Sequence, residues 1–202
     1  MNPYYEQLYQ HLKTIVHILP EEVEKMMAFA KIVQLKKKNF LFQEGEIDRY
    51  VGYVNKGVLR YFFNDENAEE HIIYFAQENW WVGDLNSFYG NVPTPYNLQA
   101  LENTELFLFN RENFTRVREM IPAYDEYVTL RHAKATSARL ETMMSFRSEP
   151  AEARYEKLLR GFPDIFQRVP QHYIASYLGV KPQSLSRIRK NIAEKKLKNV
   201  KR

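Results

Sequence analysis

Apolar residues recur at helical spacing towards both ends of the chain and crowd into short runs through its middle. Near the start, Leu8, Leu12 and Ile15 fall three or four apart, as on one face of a helix. Leu19-Pro20 breaks that pattern, and Val23, Met26, Met27 and Ala30 resume it. Glu21 and Glu22 then stand in the first turn of the second helix, where the peptide dipoles favour negative charge. These helices read as packing elements.

From Ile32 to Phe109 the texture changes. Runs rich in β-branched and aromatic residues occupy 32–35, 40–42, 50–54, 58–63, 71–75, 80–82, 98–101 and 105–109. Turn signals separate them: Glu44-Gly45, Asn55-Lys56-Gly57, Asn64-Asp65-Glu66-Asn67 and Gly90-Asn91. Short, evenly spaced strands with such punctuation predict an antiparallel β-roll or barrel. A parallel sheet is disfavoured, because no helical segments lie between the runs.

Beyond Asn110, a residue suited to cap a helix, the pattern is helical again. Ile121-Pro122 interrupts it and opens a long helix over 122–148. Leu130, Ala133, Ser137, Leu140 and Met144 form one stripe on that helix, and Tyr124, Val128, Arg131, Ala135 and Ala138 another. Two stripes predict packing on the roll with one side and on something else with the other. A second copy of the same helix is the economical partner. Glu149-Pro150 marks a joint, and a helix follows over 151–162. The expected division is therefore a sensor roll over 1–121, a dimerisation helix over 122–148 and a third unit over 149–202.

The third unit contains RVPQHYIASYLGVKPQSLSRIRKNI, residues 168–192, which reads as two short helices around a tight turn. Pro170 suits the start of the first, since proline has no N–H to lose there. Ile174, Ala175 and Leu178 supply its apolar face, and Gly179 supplies a residue free to take positive φ. Pro182 opens the second helix, with Leu185, Ile188 and Ile192 as its buried stripe. Gln183, Ser184, Ser186, Arg187 and Lys190 remain outside. Arginine fits guanine edges, glutamine fits adenine, and serine and lysine fit phosphates. This is a helix-turn-helix pattern with the second helix as the reader.

Composition sharpens rather than alters this picture. The chain has 202 residues, a net charge of +4 and no cysteine, which excludes disulfides and thiolate metal sites. The basic excess collects at the end: Arg187, Arg189, Lys190, Lys195, Lys196, Lys198, Lys201 and Arg202 face only Glu194. Such a run beside a helix-turn-helix is the footprint of phosphate binding. No secretory leader and no apolar span of about 20 residues is visible, so a cytoplasmic protein that avoids the membrane is expected. A metal enzyme on a roll needs several histidines converging inside it, and only His71 lies in the strand region. Ser184 and Ser186 have no histidine–aspartate arrangement beside them. No metal, catalytic residue or cofactor is expected, and the chain does not read as an enzyme.

A β-roll, a long helix and a helix-turn-helix in that order resemble the Crp–Fnr family of bacterial transcription regulators, from about Ile32 onward. Gly45-Glu46, Gly57 and Gly83-Asp84-Leu85 resemble the roll glycines and phosphate-binding cassette of that family. The texture QHYIASYLGVKPQSLSRIRK is most similar to members common in Bacteroidetes-type bacteria. The resemblance implies an α+β fold: an antiparallel double-stranded β-helix of the cyclic-nucleotide-binding type, a dimerisation helix and a winged-helix-like helix-turn-helix domain. It implies a homodimer on pseudo-palindromic double-stranded DNA, with RNA polymerase and a small-molecule effector as further partners. Pro182, Gln183 and Arg187 match the base-reading positions, and Gln171, Lys181, Ser184, Ser186 and Lys190 are the expected phosphate contacts. Gln183 stands where many members have glutamate, which predicts a different half-site.

The cassette departs from the family. Cyclic-nucleotide binders follow it with an Arg-Ser-Ala that pairs with the cyclic phosphate, whereas Val92-Pro93-Thr94-Pro95-Tyr96 stands here. Cyclic AMP is therefore not expected to bind. Gly83, Asp84, Leu85, Thr94 and Tyr96 remain the candidate ligand pocket for an unidentified effector, an apolar one if Phe75, Trp80, Trp81, Phe88 and Tyr89 line it. The competing reading is a ligand-binding or protein-interaction module that has lost sequence-specific DNA binding. The short stretch after the second helix leaves little room for a β-wing.

Overall fold

The structure is a computed structural model that describes residues 1–200, with side chains as far as Lys195. Two short helices, α1 (Glu6–Lys13) and α2 (Pro20–Met27), precede the strands. Pro20 occupies the first turn of α2, and the Glu22 carboxylate accepts the Leu19 N–H at 2.8 Å. Ile15 lies beyond α1 and is exposed, so the first apolar stripe ends at Leu12.

Eight strands follow: β1 (Lys31–Leu35), β2 (Phe40–Phe42), β3 (Tyr50–Lys56), β4 (Leu59–Asn64), β5 (Glu70–Ala76), β6 (Trp81–Val82), β7 (Asn97–Ala100) and β8 (Thr104–Asn110). They form two antiparallel four-stranded sheets, ordered β1-β8-β3-β6 and β2-β7-β4-β5. A short helix, α3 (Leu85–Gly90), interrupts them after β6. Gly57 turns β3 into β4 at φ +105°, and a Cβ there would lie 2.8 Å from the Thr104 Cα, so only glycine fits.

Strand alternation sorts the side chains into layers. Leu59 and Tyr61 of β4 and Leu106 and Leu108 of β8 point between the sheets. Phe107 and Phe109 of β8 point the other way, under α1, α2 and the helices that follow the roll. Those helices are α4 (Arg111–Met120) and α5 (Pro122–Ser148). The Asn110 side chain caps α4 by accepting the Asn113 N–H at 2.8 Å. Tyr124, Tyr127 and Val128 bury the first third of α5 against the first sheet, where the Tyr127 hydroxyl accepts the Trp81 indole N–H at 2.9 Å.

After the joint come α6 (Ala151–Gly161), α7 (Ile165–Arg168), α8 (Gln171–Tyr177) and α9 (Pro182–Val200). Their core is continuous with the outer face of the second sheet. Phe62, Ile72 and Phe75 of the roll join Ile174, Leu178 and Leu185 in one buried cluster. The second sheet is thus covered on both faces. No strand stands among the described residues of this last unit, because α9 continues to Val200 where a wing would begin.

Candidate nucleic-acid interface and roll cassette

α8 and α9 form a helical pair around a turn set by Gly179, at φ +65°. Its amide donates to the Ser176 carbonyl at 3.0 Å, and the Val180 amide donates to the Ala175 carbonyl at 3.0 Å, closing the end of α8. Ile174, Ala175, Leu178, Leu185, Ile188 and Ile192 are all buried between the helices and their neighbours. This burial fixes which face of α9 is left to solvent.

On that face Gln183 and Arg187 stand one turn apart, both exposed. Neither side chain has a hydrogen-bond or ion-pair partner among the described residues. Lys181, Pro182 and Lys190 are exposed beside them, and the Lys190–Glu194 contact, 4.0 Å on the surface, is too weak to hold Lys190 away. Gln171 and Ser186 are placed differently. The Gln171 amide donates to the Ser186 hydroxyl at 2.7 Å, and the Arg189 guanidinium donates to the Gln171 carbonyl oxygen at 3.3 Å. They brace α8 against α9 at the edge of the exposed face. Ser184 is half-buried on the flank. Of the basic tail, the side chains of Lys196 and Lys198 and the whole of Lys201 and Arg202 lie outside the described residues.

The roll cassette is a self-satisfied knot. Asp84 caps α3 by accepting the Asn86 N–H at 3.0 Å, and its other carboxylate oxygen accepts the Thr94 hydroxyl at 2.7 Å. The Asp84 amide donates to the Asp48 carboxylate at 2.7 Å, and the Tyr50 amide donates to the other Asp48 oxygen at 3.1 Å. Burial of Asp48 raises its carboxyl to about 6 in spite of those two amides. The Thr94 amide is already given to the Glu46 carbonyl at 2.8 Å. Asp84 is 7% exposed and Thr94 1%, so the groups that could hold a ribose or phosphate hold each other.

Gly83, Asp84 and Thr94 therefore do converge, while Leu85 and Tyr96 turn to opposite sides. Leu85 packs into the helical core and Tyr96 into the roll interior. There Tyr61 stacks on Tyr74 at 4.7 Å between ring centroids and meets Tyr96 at 4.9 Å. These rings fill the space between the sheets. The other aromatics do not gather at the cassette: Trp81 and Phe88 belong to the helical core, Phe75 to the second sheet's outer face, and Trp80 and Tyr89 are exposed. No guanidinium enters the knot, and Arg131 of α5 donates instead to the Trp81 carbonyl at 3.2 Å. Isothermal calorimetry with cyclic AMP at millimolar concentration is expected to give no saturable heat. A saturating isotherm at micromolar concentration would contradict this account of the knot.

Three groups that tie the last unit to the roll have no signal in the sequence. Arg168 donates to the Glu78 carboxylate at 2.7 and 2.9 Å and to Glu102 at 2.5 Å, across separations of 90 and 66 residues. These partners push its pKa further up and hold that of Glu78 below the usual carboxylate range. Arg60, 3% exposed, lies between the rings of Phe62 and Tyr173 and pairs with Glu70. Ser176 accepts the Ile72 N–H at 3.2 Å and donates to the Glu70 carbonyl at 3.0 Å, completing edge strand β5.

Residues 32–120 match the family model of the cyclic nucleotide-binding domain. Among solved structures the chain is similar to FixK2 from Bradyrhizobium japonicum, at 15% identity over 82% of this chain and 85% of that chain, with a TM-score of 0.69. It is similar to the c-di-GMP responsive global regulator CLP of Xanthomonas campestris, at 14% identity over 88% and 93%, TM-score 0.67. It is also similar to the Thermus thermophilus catabolite activator protein, at 20% identity over 88% and 85%, TM-score 0.54. At these identities the likeness is one of fold. No curated protein sequence matches the chain.

Proposed function

We propose that this chain, which joins a roll of the cyclic-nucleotide-binding type to a helix-turn-helix in the fold of the Crp-type regulators, is a sequence-specific DNA-binding transcription regulator and not an enzyme. The observation that carries the reading is the exposed Gln183–Arg187 face of α9, left unpartnered while the rest of the pair is locked in a core. Arg187 presents a fork for the O6 and N7 of guanine, and Gln183 presents an amide for adenine. Lys181 and Lys190 flank them for the phosphates.

The working form is a homodimer through α5. Past Val128 one face of the helix turns to solvent, and its stripe of Leu130, Leu140 and Met144 is 46%, 55% and 67% exposed. That is the stripe suited to a second copy, as the sequence pattern anticipates. Two copies would set their α9 helices in successive major grooves, about 34 Å apart on a pseudo-palindrome. The roll interior is filled, so cyclic AMP is not the controlling ligand. No helix among the described residues is long and apolar enough to cross a membrane.

The test is selection of genomic fragments by the purified full chain at physiological salt. Enrichment of sites with two inverted half-sites is expected. Binding that ignores sequence and follows only salt concentration would refute the assignment.

A further inference from the structure

A cavity of about 470 Å³ lies where the roll, the long helix and the last unit meet. This is within the size range of sites for small organic ligands. Tyr74 and Trp80 wall it from the roll, Thr142 and Phe146 from α5, and Arg154 and Tyr177 from α6 and α8. It is separate from the Asp84–Thr94 knot, which has no free polar group, and its lining is mostly apolar with aromatic rings on three sides.

Its charged groups are Glu141, Arg154 and Lys157. Lys157 is paired with Glu149, and Glu141 is exposed. Arg154 differs from both. One of its terminal nitrogens donates to the Glu149 carbonyl at 2.6 Å and the other to the Leu178 carbonyl at 2.9 Å. It has no carboxylate partner among the described residues, and its Nε is buried without any hydrogen-bond partner. The guanidinium lines the cavity with a charge that no carboxylate neutralises, and each terminal nitrogen keeps a second N–H that an anion in the cavity would meet. The guanidinium is held 4.8 Å from the Phe146 ring, so it is already fixed in place.

We propose that this cavity is a ligand site for a small planar aromatic molecule bearing one anionic group, the rings stacking among Tyr74, Trp80 and Phe146 and the anion meeting the Arg154 guanidinium. The ligand would touch all three units at once. Arg154 is bonded to the Leu178 carbonyl at the turn of the helical pair, and Phe146 lies 3.5 Å from where a Cβ on Gly179 would stand. Occupancy therefore acts directly on the angle at which α9 is held. That control of DNA binding rests on the regulator reading, whereas the site itself does not.

The probe is anilinonaphthalene sulfonate, a planar aromatic anion that fluoresces on leaving water, with uncharged phenylnaphthylamine as its partner. Saturable binding of one sulfonate per chain is expected in the native, fully folded protein. Arg154→Gln should weaken the sulfonate about tenfold and leave the uncharged probe unchanged. Thr142→Trp, which fills the cavity from α5, should abolish both while the circular dichroism spectrum stays native. Wild-type affinity in Thr142→Trp, or equal losses of the two probes in Arg154→Gln, overturns the proposal. A chain that takes the sulfonate but selects no DNA would sink the regulator reading and leave this site standing. A chain that selects DNA but takes no probe would do the reverse.

Discussion

Leu140→Glu is expected to leave the chain a monomer at micromolar concentration, and the unaltered protein is expected to sediment there as a dimer. Leu140 sits at the centre of the α5 stripe and is 55% exposed in the single chain, so the substitution costs the isolated fold little. In a two-fold seam the same position occurs twice. Each copy would lose about 1.5–3 kcal/mol of apolar burial and would bring a carboxylate into a dry interface beside its like-charged mate. A combined loss of about 4 kcal/mol corresponds to roughly a thousandfold rise in the dimer dissociation constant. Sedimentation velocity across a dilution series measures it. Leu140→Met, which keeps the volume and polarity, should remain dimeric. If Leu140→Glu sediments with the unaltered protein, α5 is not the seam, and the spacing of the two reading helices loses its basis.

The exposed stripe was legible in the sequence because the spacing of apolar residues along one helix is local. The same locality explains why all eight strands could be placed: each is a short run rich in β-branched and aromatic residues, and turn residues punctuate the series. The helical pair was legible down to Pro182 and Gly179, since both positions are set by backbone requirements. The six-residue α3 was not anticipated. It has no room for an apolar period, and its stability comes from the Asp84 cap.

What no pattern revealed is the docking of the last unit on the roll. Phe62, Ile72 and Phe75 read as ordinary strand residues, yet they face outward and share a cluster with Ile174 and Leu178. Arg60 in the middle of β4 carries no signal of its own, but it is sandwiched between Phe62 and Tyr173. Its partners, like those of Arg168 and Arg154, are set by tertiary geometry rather than by spacing. The candidate ligand pocket shows the same limit. Gly83, Asp84 and Thr94 do converge, Leu85 and Tyr96 do not, and the hydrogen bond between Asp84 and Thr94 cannot be read from a motif. The cavity at the joint is likewise lined from three units, so no single segment encodes it.

Arg187→Ala is expected to remove most sequence preference at the guanine it reads in each half-site. The guanidinium is exposed and has no competing partner among the described residues, so no rearrangement within the protein offsets its loss. A bidentate contact with guanine contributes about 1–3 kcal/mol of discrimination. Two half-sites double this to about 2–6 kcal/mol, a fall of at least thirtyfold on the best fragment. Non-cognate DNA should weaken far less, because Lys181 and Lys190 still meet the phosphates. Gln183→Ala should act at a different base pair. Fluorescence anisotropy on single-position variants of the selected fragment separates these effects. Arg187→Lys supplies the decisive contrast, for it keeps the charge and loses the fork. Specificity that survives Arg187→Lys would mean that Arg187 serves the phosphates and that some other face reads the sequence. Equal binding by Arg187→Ala and the unaltered protein would remove α9 as the reader altogether.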